Sequence, residues 1–147
     1  MNIEYVIYKE KTISIIIRNN YKKSGTSFIT PNNFSQQLAF MNHEKGKVIE
    51  PHVHNPVPRK VIFTQEVLFI KKGKLRVDFY DENQIYIESK ILSDGDVIML
   101  VSGGHGFEIL EDIEMIEVKQ GPYSGDKDKT KFFGIASSKV IFKQSQK

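Results

Sequence analysis

The chain has 147 residues, of which 21 are Lys or Arg and 18 are Asp or Glu, for a formal charge of +3; ten Phe and six Tyr contribute to a hydrophobic content of 39%. That length suits one domain with one core over 1–147, the aromatic content excludes a wholly disordered chain, and the interspersed charges lack the basic stripe that nucleic-acid binding needs. With no Cys, no leader-like start and no apolar run of about 18 residues, neither disulfides, thiolate ligands, secretion nor a membrane span is supported, and a cytoplasmic location is the expectation.

Strand patterns dominate from the start. Residues 5–8 (YVIY) and 13–17 (ISIII) are β-branched or aromatic runs suited to opening strands. Residues 19–25 (NNYKKSG) read as a loop, and Pro31, Asn32 and Asn33 punctuate the chain before QLAFM at 37–41. Residues 37–42 and 47–54 flank the turn Glu44-Lys45-Gly46 and predict an antiparallel hairpin. A strand over 61–70 and a turn at Lys71-Lys72-Gly73 follow, then a strand in which Leu75, Val77 and Phe79 alternate with Arg76, Asp78 and Tyr80, the pattern of one buried face. After a turn at Asp81-Glu82-Asn83 come strands over 85–92 and 97–101, separated by Asp94-Gly95-Asp96. Residues 107–110 and 113–118 are predicted to pair across Glu111-Asp112, and the polar stretch 121–131 leads to a weak strand at 140–142. About ten short strands without helical periodicity predict an all-β barrel or sandwich.

The histidines carry the chemistry. On an extended segment His52 and His54 leave one face and can meet one ion. Glu66, on the next strand, and His105, after Gly103-Gly104, complete a candidate set of three imidazoles and one carboxylate, which suits one divalent Fe, Mn, Ni, Co or Zn ion. Strand parity extends this site. If His52 and His54 point inward so do Glu50 and Val48, if His105 does so do Phe107 and Ile109, and Glu66 brings Leu68 and Ile70. The expected interior is a metal end with an apolar floor, sized for a small organic ligand. Glu50 is a candidate partner of the ligands or of the reaction. Arg59, in the Pro-rich loop after the His pair, is a candidate for holding a carboxylate or phosphate of the substrate. Glu117 and Lys119 share one strand face, internal or external, and Tyr123 is a lid or anchor candidate.

Two motifs carry a resemblance. GKVIEPHVH at 46–54, then Glu66 and Gly73, resembles the first motif of the cupin superfamily; Gly95 and VSGGH at 101–105 resemble the second. Motif 1 thus spans 46–73 and motif 2 spans 95–109. The resemblance implies a double-stranded β-helix, the jelly-roll barrel of cupins, with His52, His54, Glu66 and His105 as its metal ligands. Two departures stand out. Eleven residues separate His54 from Glu66, far more than in the family pattern, and Val101 and Ile109 replace its usual Pro and Asn. The segments PHVHNPVPR at 51–59 and GGHGFE at 103–108 are most similar to small cupins of bacterial polysaccharide and sugar-nucleotide gene clusters.

These features predict a metal-binding protein that acts on or binds a small polar metabolite, a sugar or nucleotide sugar by that resemblance, with isomerase or epimerase chemistry. The alternatives are an Fe(II)-type dioxygenase and a non-catalytic sensor of a small molecule or metal. A homodimer is expected from the habit of cupins and from the apolar run at 13–17.

Overall fold

In the computed structural model, which describes residues 2–144, the chain forms two compact units, Met1–Tyr21 with Phe63–Lys147, and Lys22–Ile62. Strands account for 44% of the structure, and no α-helix occurs among the described residues, so the expected all-β class holds.

The larger unit is a curled antiparallel sheet that forms a half-barrel. Its strands are β1 (Ile3–Tyr8), β2 (Lys11–Ile17), β5 (Glu66–Tyr80), β6 (Tyr86–Leu92), β7 (Val97–Leu100) and β8 (Gly104–Lys119). Lys9 and Glu10 join β1 to β2 with φ of +48° and +65°, a two-residue hairpin turn of the type that matches strand twist. The isoleucines of β2 are buried between β1 and β7, so the 13–17 run is a core strand that needs no partner molecule.

Strand β5 organises the sheet. Along one edge its whole length pairs with β8; along the other, Glu66 to Phe69 pair with β7 and Leu75 to Tyr80 pair with β6. Leu68, Ile70, Leu75, Val77 and Phe79 project from it into one core cluster with Ile16, Ile98 and Leu92. The β5–β8 register shifts between Ile70 and Leu75, where Gly73 takes φ +96°. A Cβ on Gly73 would overlap the carbonyl oxygen of Asp112, and its N–H donates to Asp94 Oδ1 at 2.6 Å.

The smaller unit contains β3 (Gly25–Phe28) and β4 (Ala39–Asn42), paired antiparallel. The Thr30 hydroxyl donates to Gln37 and accepts from Leu38 N–H at 3.0 Å each, which ties the loop between them.

Several expected elements are corrected. The partner of β4 is β3, part of which was expected to be loop, and residues 47–65 lie outside strands, so the 37–42/47–54 hairpin does not form. Lys71-Lys72-Gly73 and Glu111-Asp112 are not chain reversals; both lie in the bulged middle of the β5–β8 ladder, where positive φ kinks the strand without turning it back. Arg76 and Asp78 are buried, against the expected single buried face, because the C-terminal segment packs over them. Residues 140–142 form no strand, although Ser89 N–H donates to Ile141 carbonyl oxygen at 2.8 Å and docks them on β6.

Candidate functional site

The concave face of the half-barrel follows from register. Residues opposite each other across a ladder point the same way, so Lys119 joins Glu66, Glu117 joins Leu68, Phe107 joins Val77 and His105 joins Phe79. The expected parity of Glu66, Leu68 and Ile70, and of His105, Phe107 and Ile109, is therefore realised on the core side, and Glu117 with Lys119 falls on that side too.

Bending of the ladder then joins its two ends. His105 Nε2 lies 3.1 Å from Glu66 Oε2, with the Glu66 side chain largely buried and His105 about one-third exposed. The hydrogen bond from His105 holds the Glu66 carboxyl below the usual carboxylate range; partial burial opposes this, and Lys119 and Lys129 add to it. The His105 ring packs beside Phe107 with centroids 5.2 Å apart.

This pair sits in a cleft of about 590 Å3 whose walls include Phe107, Glu117, Lys119, residues 128–132 and Gly134. The C-terminal wall is anchored by Tyr80: its ring meets Phe132 edge-on at 5.0 Å, and its hydroxyl accepts from Ile135 N–H at 2.8 Å. Thr64 donates to Asp128 Oδ1 at 3.2 Å and closes one end. Lys129, Lys131 and Phe132 were not among the expected site residues. Their stretch carries no motif, and only its return across the cleft gives them a place there.

Of the other expected residues, Glu50, His52, His54 and Arg59 belong to the smaller unit and Tyr123 to the larger. His52 and His54 are exposed and off any strand, so the shared strand face expected for them does not exist; their rings nonetheless meet edge-on with centroids 5.3 Å apart. His52 Nδ1 donates to the carbonyl oxygen of Glu50 at 2.9 Å. Because a carbonyl can only accept, the neutral ring keeps its free lone pair on Nε2, which is the arrangement that orients metal-binding imidazoles. Glu50 thus serves His52 through its backbone, and its side chain is exposed. Arg59 is exposed, with a long contact of 3.4 Å from its Nη1 to Val57 carbonyl oxygen. Tyr123 is 82% exposed, which gives the anchoring role no support.

Within neither unit do three His, Asp or Glu side chains of the described residues converge as a metal site. Two candidate donors do meet in the larger unit, Glu66 and His105, at a hydrogen-bonding distance of 3.1 Å. No family profile, no curated protein and no solved structure matches this chain.

Proposed function

We propose that this chain is a cupin-type protein that holds one divalent transition metal through Glu66 and His105, with His52 and His54 completing the ligand set, and that it binds or acts on a small polar metabolite in the cleft. The observation that carries this reading is the Glu66–His105 contact of 3.1 Å at the cleft, between one candidate ligand from each cupin-like motif. In this reading the half-barrel is part of a jelly roll, and a sugar or nucleotide sugar is the ligand class that the motif resemblance favours. When bound, the ion supplies a Lewis acid that polarises a carbonyl oxygen. The protein's own part is to orient the ligand between Phe107 and the wall of residues 128–132 and to limit water there.

A second reading rests on the same contact. A histidine already hydrogen-bonded to a carboxylate is held in one orientation and can move a proton without metal, with Glu66 positioning the ring and His105 as acid or base.

Elemental analysis separates the two. About one equivalent of Fe, Mn, Ni, Co or Zn in the wild type, lost in a folded His52→Ala/His105→Ala variant, is the expected result, and bound Fe would direct assays toward oxygenase chemistry. No metal after supplementation with each ion would sink the metal reading and leave the acid–base one.

A further inference from the structure

We propose that the cleft takes an anionic small molecule, one bearing a phosphate or carboxylate group, and that Lys119, Lys129 and Lys131 hold its charge beside Glu66 and His105. This rests on the reading that the cleft is the ligand site, and adds the class of ligand.

The argument begins with Lys119. It stands directly opposite Glu66 in the β5–β8 register, close enough for a cross-strand ion pair. That pair does not form, because the Glu66 carboxylate turns to His105. Lys119 is left half-buried, with no described carboxylate within 4.0 Å. Lys129 and Lys131, which line the same cleft, are exposed and likewise have no described carboxylate within 4.0 Å.

The acidic groups of the cleft do not absorb these donors. Glu66 is engaged by His105 and Asp128 accepts from Thr64, which leaves Glu117 as the one described carboxylate of the lining without a recorded partner. Three lysines of one lining therefore bring their charge to a cleft in which Glu117 is the one carboxylate not already hydrogen-bonded within the described residues. A multi-oxygen anion answers that arrangement, since ammonium-to-oxyanion bonds are the stronger, charge-assisted kind.

The test is a titration followed by 1H–15N NMR, read at the amides of Gly104, Gly106 and Gly134, which line the cleft. Inorganic phosphate and succinate are the two probes, and the tighter one identifies the charged group. Saturable shifts at these glycines are expected. They should weaken about tenfold, the loss of about 1.4 kcal/mol, in Lys119→Gln/Lys129→Gln/Lys131→Gln, and less than about twofold, under 0.5 kcal/mol, in the control Lys22→Gln/Lys23→Gln/Lys45→Gln. Should the triple variant fold poorly, Lys129→Gln/Lys131→Gln, which leaves β8 intact, carries the same expectation. Absence of saturable shifts with both probes, or equal weakening in the control, overturns the proposal. Metal analysis fails independently. A metal-free wild type with lysine-dependent shifts keeps the anion site and loses the metal, and a metal-loaded protein that takes neither probe does the reverse.

Discussion

Glu66 and His105 belong to opposite ends of the β5–β8 ladder, yet their side chains meet at 3.1 Å. His105 pairs with Phe79, thirteen residues along β5 from Glu66, which in a straight strand would be about 43 Å away. The ribbon must therefore fold over on itself, and the bulge around Gly73 is where its register breaks. The candidate site is a product of that bend. It exists because one end of a long two-stranded ribbon is brought back onto the other.

Gly73→Ala is accordingly predicted to destabilise the protein by about 1–3 kcal/mol, the cost of a strained backbone site, since its Cβ would meet the Asp112 backbone and its φ is +96°. Gly46→Ala is the comparison: φ is similar at +92°, but nothing lies within 4 Å of the added Cβ, so only the conformational cost of about 1–2 kcal/mol applies. Urea denaturation of the two variants checks the order. A Gly73→Ala protein no less stable than Gly46→Ala would mean that the bulge relaxes freely.

A second prediction concerns the buried pair beneath the C-terminal segment. Arg76 donates to both carboxylate oxygens of Asp78, at 2.8 and 2.9 Å, and also meets Glu108 at 2.5 Å. Asp78→Ala leaves the buried guanidinium with the half-exposed Glu108 as its remaining carboxylate partner and should cost about 3–5 kcal/mol. The double variant Arg76→Met/Asp78→Leu removes both charges and should recover much of that loss. Thermal unfolding of the single and double variants measures the difference. If the double variant is as unstable as the single, the pair's hydrogen bonds to Ser89 and Ser137 matter more than its charge balance.

Tyr80 gives a pH dependence. Burial pushes its phenol above the ordinary value of 10.0, with the hydrogen bond from Ile135 N–H opposing more weakly. The folded state thus binds this proton more tightly than the unfolded state. The resulting stability is fully present below the unfolded value and is lost as pH rises through the folded one. Ultraviolet titration should find a phenol that ionises later than the exposed tyrosines, and Tyr80→Phe should remove that late step.

Much of the larger unit is legible in its residues. The alternation Leu75, Val77, Phe79 marks a core-facing strand, the apolar runs at 13–17 and 97–101 mark buried ones, and parity alone places His105 with Phe107 and Glu66 with Leu68. These succeed because a period of two is a local property of extended backbone, and burial of one face follows directly from it. Where both faces are covered, as at Arg76 and Asp78, the covering segment lies about sixty residues away and leaves no local trace.

Pairing and bending belong to tertiary structure. Glycines at 73 and 95 look alike as turn formers, but the first continues one fifteen-residue strand and the second separates two. The difference lies in whether a partner strand runs alongside: β8 passes Gly73 and carries its register through the bulge, and no strand does so at Gly95. Likewise β3 takes the place beside β4 that residues 47–54 were expected to fill, because a strand forms where backbone donors find a partner, and adjacent sequence does not guarantee one. The residue types of the site, a carboxylate and imidazoles at motif spacing, were written into the chain; the 3.1 Å contact and the unpaired lysines around it were decided only when the ribbon closed on itself, since distance between residues so far apart is a property of the fold as a whole.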